Sequence, residues 1–361
     1  MTLSNINENF HQKLQEEIPV TRYRVASPSL FLYHDTPSSY ANMTKTLILL
    51  SGALLLASCN QGRESAQETS TPKAEVKKMN IPMFDGDKAF AQLKAQTDFG
   101  PRNPNSLGHA KCLSFLVGEF AKYAENVTRQ DFVHKGYDGE MLKLTNVFAS
   151  FNAAASDRIL FLAHWDTRPR ADQEKDPAKQ RQPVLGANDG ASGVAVLLEM
   201  ARLLKAAPPS VGIDILLVDG EDYGKEHDLD SYFLGARYFM KTKSQNYSPR
   251  FAVLLDMVGD RDLQFPMEQN SMNYAPQIVE LIWSTAEKLG VTQFVNVPGE
   301  QISDDHIPLN EGGIPAVDII DFQYAHWHTL QDTPDKCSGE SLEAVGKVMT
   351  HLIYSQGSAP H

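Results

Sequence analysis

RILFLAHWD, residues 158–166, decides the fold: an apolar run from Ile159 to Ala163 that opens directly into His164, Trp165 and Asp166. The run is too short for a globular helix and lacks the alternation of a half-exposed strand, so it reads as a strand buried on both faces. The same pattern recurs at Gly212–Asp219, Phe251–Asp256 and Ile314–Ile320. Helix-length amphipathic stretches occur in the same part of the chain, at Ala191–Lys205, Ser231–Lys243, Ala275–Leu289 and Gly339–Tyr354. Buried strands joined through helices predict an α/β domain, with a mixed, largely parallel central sheet flanked by helices. Upstream, the sequence predicts helices over Asp85–Gln96 and Leu107–Ala124, then strands near Val127–Val133 and Leu142–Ser150. No internal repeat interrupts this body, which reads as one domain over residues 81–355 with a short tail at 356–361.

In open α/β sheets the site lies beyond the carboxyl ends of the strands, and the acids and histidines of this chain gather there. His164 and Asp166 follow the first apolar run, and Asp219-Gly220-Glu221-Asp222 follows the second. Asp256 ends the third, and His326-Trp327-His328-Thr329 comes after the last. Gly186-Ala187-Asn188-Asp189-Gly190 leads into a helix. One acid at a strand end is ordinarily a cap or a solvated group, but five such loops together suit a metal. Carboxylate and imidazole donors without thiolate fit catalytic zinc, which keeps a position open for water or substrate. There is no GxSxG elbow and no phosphate loop of Walker form, and the three cysteines have no partnering pattern.

The formal charge of -12 argues against a general nucleic-acid binder. Cys112 and Cys337 could be two buried thiols or a disulfide. Cys59 ends MTKTLILLSGALLLASC, which begins at Met43. Residues 43–58 have the form of a signal peptide, too short for a permanent membrane span. The Leu56-Ala57-Ser58-Cys59 ending resembles a bacterial lipobox. The expectation is export to the periplasm, or anchoring on the outer membrane of a Gram-negative-type bacterium through lipid on Cys59. Residues 59–80 would be a polar tether, and residues 1–42 a spurious extension ahead of a true start at Met43.

HWD at 164, GANDGASG at 186, DGED at 219, LLDMVGD at 254 and HWHT at 326, in this order, resemble the M28 metallopeptidase superfamily. The resemblance implies a zinc exopeptidase-like domain and admits two branches. Dinuclear aminopeptidases would use counterparts of His164, Asp189, Asp222, Asp256 and His328 to hold two zinc ions. Glutaminyl cyclases would hold one, through Asp189, Asp222 and His328. Asp304-Asp305-His306-Ile307-Pro308 and Trp327-His328-Thr329 resemble the cyclase branch, as Glu221-Asp222-Tyr223-Gly224 does more weakly. That branch implies zinc-dependent conversion of N-terminal glutamine in peptides and proteins to pyroglutamate, with ammonia released. Glu221 would carry the proton, with Asp256, Asp304 and Asp318 as the surrounding acid network. Trp327 would wall the glutamine side chain. The stretches Asp228–Tyr232 and Asp260–Asn270 are expected to shape the pocket.

Overall fold

The computed structural model describes residues 81–225 and 227–356. The signal peptide, the lipobox cysteine, the tether and the 1–42 extension fall outside the described residues. The elements run α1 (Gly86–Thr97), α2 (Leu107–Ala121), β1 (Asn126–Lys135), β2 (Met141–Phe151), β3 (Arg158–His164) and α3 (Ala191–Ala206). They continue with β4 (Gly212–Val218), α4 (Leu234–Thr242), β5 (Ala252–Asp256), β6 (Phe265–Met267), α5 (Gln269–Tyr274) and α6 (Pro276–Leu289). The last are β7 (Phe294–Pro298), α7 (His306–Glu311), β8 (Ala316–Ile320) and α8 (Gly339–Ser355).

Six strands form the central sheet in the order β1-β2-β4-β3-β5-β8. β4, β3, β5 and β8 are parallel, whereas β1 and β2 are antiparallel additions at one edge. The expected mixed, largely parallel sheet is therefore present. Its four parallel strands read as near-continuous apolar runs because helices cover both faces. Ile159, Phe161 and Ala163 of β3 pack in a cluster with Leu93 of α1, Leu116 of α2, Val194 of α3 and Val345 of α8. The alternate residues Leu160 and Leu162 join Phe239 of α4 and Leu309 of α7. Truncating such a fully buried Leu or Phe to Ala costs about 2–5 kcal/mol.

The register sets where the chemistry falls. His164 pairs with Val218, and Asp256 with Ile320, so the parallel strands end along one edge of the sheet. The helix expected from Ser231 begins three residues later, at Leu234. The chain bends first because the N–H of Phe233 donates to the Glu221 carbonyl and that of Leu234 to the Gly220 carbonyl. This bend puts Phe233 at φ 57. β6, α5 and β7 were not expected: they are too short for periodicity to reveal. Cys112 and Cys337 are both buried free thiols.

Candidate metal centre

Asp189 lies at the centre of the site. It sits in the turn before α3, where Gly190 takes φ +99 and a Cβ would meet the Asp166 carbonyl at 2.6 Å. Only glycine fits that approach. One carboxylate oxygen of Asp189 is 3.2 Å from Nε2 of His164, and the other is 3.6 Å from Nε2 of His328. His164 also faces Asp256 at 3.1 Å, and His328 faces Asp222 at 3.3 Å. Two overlapping groups of converging donor atoms result: Asp189, Asp222 and His328, and His164, Asp189 and Asp256. All five side chains are buried.

Neighbouring side chains hold these groups in place. Asp166 accepts the backbone N–H groups of Glu221 (3.1 Å) and Asp222 (3.3 Å), which fixes the loop after β4 against the end of β3. Asp332 does the same for Asn188 (2.8 Å) and Asp189 (3.1 Å), and accepts from the Tyr324 hydroxyl at 2.8 Å. Arg168 donates to Asp222 Oδ1 at 2.7 Å and also pairs with Asp172. Asp172 in turn stands 3.4 Å from Nδ1 of His328. His328 has φ 54 and Met257 φ 48. Such left-handed backbone in a non-glycine residue costs about 1–3 kcal/mol and persists where surroundings over-determine it.

The electrostatics are those of a crowded acid site. Burial opposes charge on His328, yet Asp222 and Asp172 outweigh it and raise the imidazole to about 9. Burial would also lift Asp222, but His328 and Arg168 hold it at about 2. Burial, then Asp222 and Asp304, push Glu221 well above the usual carboxylate range. Burial and the charge of Asp256 do the same to Asp304, and burial and Asp304 do so to Asp318. Asp222 Oδ2 and both Asp318 oxygens are buried without a hydrogen-bond partner. Two carboxylates and one imidazole converging with an orphaned oxygen fit a divalent cation.

A cavity of about 280 Å³ opens onto this group. Glu221, Asp256 and Asp304 line it on the acid side, and Ile302, Ile320, Phe322 and Trp327 supply apolar wall. Trp327 stacks on His328 with ring centroids 3.7 Å apart. The structure thus brings Asp189, Asp222, Asp256, Glu221, Asp304, Trp327 and His328 to one cavity, with His164 in contact with Asp189 and Asp256. Asp318 is not among the lining residues and lies buried behind them. Leu229 and Tyr232 line the cavity, as expected of their stretch, but none of Asp260–Asn270 does. Glu300–Asp304 takes that place, because the chain from Pro266 to Asn270 backs this loop: Gln269 N–H donates to the Glu300 carbonyl. No motif in the sequence marks Arg168, Asp172, Asp332 or Glu268 for a role at the site. Only the polar run that follows β3 gave any hint of the first two.

Residues 146–353 match Peptidase family M28, and the chain belongs to that family. It is similar to Bacteroides thetaiotaomicron glutaminyl cyclase, solved bound to N-acetylhistamine. The identity is 40% and the TM-score 0.74, with 76% of this chain and 99% of that one covered. A leucine aminopeptidase precursor from the same organism is also similar, at 40% identity and TM-score 0.75, with 76% of this chain and 98% of that one covered. The glutaminyl-peptide cyclotransferase of Boiga dendrophila is 23% identical over 243 residues, 58% of this chain and 64% of that protein. The chain thus spans less than two thirds of that relative's length. The expected zinc exopeptidase-like M28 fold and likeness to glutaminyl cyclases are borne out.

Proposed function

We propose that this chain is a zinc-dependent glutaminyl-peptide cyclotransferase, acting on peptides and proteins that begin with glutamine. Its substrate's α-amine nitrogen attacks the carbonyl carbon, Cδ, of the side-chain amide. The new C–N bond closes the pyroglutamate ring as the bond to the amide nitrogen breaks and ammonia leaves. Asp189, Asp222 and His328 would hold one zinc ion, which supplies Lewis acidity toward the amide oxygen. Glu221, adjoining Asp222 and lining the same cavity, takes the proton from the amine and returns it to the departing nitrogen. Its raised pKa suits a group that must both accept and donate near neutral pH. Trp327, Ile302 and Phe322 enclose the aliphatic part of the glutamine side chain and exclude water.

The observation that carries this reading is the company Asp256 keeps. It faces His164, lines the cavity, and its charge raises Asp304 and Asp318. Glu221 and Asp304 line the same cavity as Asp256 yet belong to neither group of converging donors, which favours acids that handle protons beside one metal over a second set of ligands. The rival reading, a dinuclear aminopeptidase, draws support from the His164, Asp189 and Asp256 group. Zinc content per chain separates the two, measured beside ammonia release from a glutamine-initiated peptide and hydrolysis of a leucine amide. One zinc with ammonia release is expected. Two zinc ions with leucine-amide cleavage and no ammonia would overturn the cyclase reading.

Residues 43–59 support a further proposal, that the protein is exported and anchored through lipid on Cys59. Mass mapping of the native N-terminus tests it, and residues 1–42 on the mature chain would refute it.

A further inference from the structure

Glu268 is buried and lies outside the lining of the cavity. It precedes α5, and its carboxylate accepts the N–H groups of Asn270 at Oε1 (2.7 Å) and Ser271 at Oε2 (2.5 Å). Helix caps are ordinarily Ser, Thr, Asp or Asn, whose short side chains reach their own helix and little else. Glutamate reaches further. Oε1 also accepts the N–H of Ile302 at 2.9 Å, and Oε2 stands 3.4 Å from Nε2 of His306. Ile302 lines the cavity, as does Asp304, two residues before His306. The neighbours of Glu268 reinforce the tie. Asn270 Nδ2 donates to the Ile302 carbonyl at 2.6 Å, and the Ser271 hydroxyl accepts the N–H of Asp318 at 2.9 Å. Three segments that serve the site therefore meet at one carboxylate and the short helix that it caps.

We infer that Glu268 is a positioning residue, whose Oε1 fixes Ile302 and thereby sets the width of the pocket that receives the substrate's first side chain. The inference rests on the proposed cyclisation only for the identity of that side chain. Burial would weaken the Glu268 charge, but His306 and the N–H of Ile302 hold the carboxyl down at about 2. It therefore remains an acceptor of several hydrogen bonds throughout the working pH range.

Two substitutions separate reach from charge. Glu268→Asp keeps the charge and the cap but is one methylene too short for Ile302. Glu268→Gln keeps an oxygen at full reach. For a glutamine-initiated dipeptide, Glu268→Asp should raise KM about tenfold with kcat within about threefold, the scale of one lost hydrogen bond to a charged group. Amide exchange at Ile302 should speed up by more than about tenfold on the same ground. Glu268→Gln, which keeps reach but loses charge, should shift both by clearly less than Glu268→Asp. The inference fails if Glu268→Asp leaves KM and Ile302 exchange unchanged, or if both variants raise KM alike and in step with lost melting temperature. Should Glu268→Asp not fold, Asn270→Ala loosens the Ile302 carbonyl with the glutamate intact. It should shift KM and Ile302 exchange in the same direction, and no shift would overturn the inference. If the wild type releases no ammonia, the cyclisation reading fails, and Ile302 exchange alone then decides the anchor.

Discussion

Asp172 stands 3.4 Å from Nδ1 of His328, which leaves Nε2 of the same ring facing Asp222 and Asp189. A carboxylate behind a ligand histidine fixes its tautomer and orientation and makes it the more basic donor. Replacing Asp172 by Ala should weaken metal binding about 10- to 100-fold. Titration with a competing chelator measures this, and unchanged affinity would show that Asp172 serves only Arg168.

Glu221→Gln keeps the shape of the side chain and removes its ability to carry a proton. Turnover should fall about 10²- to 10⁴-fold, with one zinc still bound. Elemental analysis beside the ammonia assay distinguishes this from metal loss, which would make Glu221 a ligand instead.

His164→Ala tests the number of ions directly. In a one-zinc enzyme the variant retains its zinc, because Asp189, Asp222 and His328 remain. A fall from two ions to one on substitution would favour the dinuclear reading.

Stripping the metal with a strong chelator should abolish turnover and lower the melting temperature, since an ion bound only by the folded chain stabilises it by mass action. Without it, the carboxylates of Asp189, Asp222 and Asp256 are left facing one another. Calorimetry with and without added zinc reads the effect, and an unchanged melting temperature would argue that these residues hold no ion.

Glu268 predicts a pH dependence of stability. Its folded pKa of about 2 lies below the ordinary value of 4.5. A depressed carboxyl stabilises the fold above about pH 4.5, and that contribution is lost as pH falls toward 2. The shift corresponds to roughly 3 kcal/mol at neutral pH. Urea unfolding should show wild type more stable than Glu268→Gln at pH 7, with the gap closing below pH 4.5. A gap at pH 2.5 as wide as at pH 7 would mean that the loss comes from packing.

Much of the site was legible because strand ends are written locally. Ile159–Ala163 followed by His164, and Phe251–Leu255 followed by Asp256, place a donor at the edge of the sheet wherever the strands happen to pair. The supporting residues left no such mark. Asp332 lies 143 residues from the Asp189 N–H that it accepts, and Glu268 lies 34 from Ile302. A backbone hydrogen bond across that distance has no periodicity and demands no particular neighbour in the chain. Of the lining loop at Glu300–Asp304 only Asp304 was legible, and Asp260–Asn270 stood in for the rest for the same reason, since which of two packed segments faces the cavity depends on what caps α5.

The sequence by itself determined the α/β class, the parallel strands and the order of the donor residues, because burial on two faces and polar strand ends are local patterns. Tertiary structure decided the rest. It put Asp189 between His164 and His328, set Asp318 behind the cavity and left Cys112 and Cys337 unbonded. Those outcomes depend on register and on loop closure over long separations, where the free energy belongs to the assembled contacts and not to any stretch of chain.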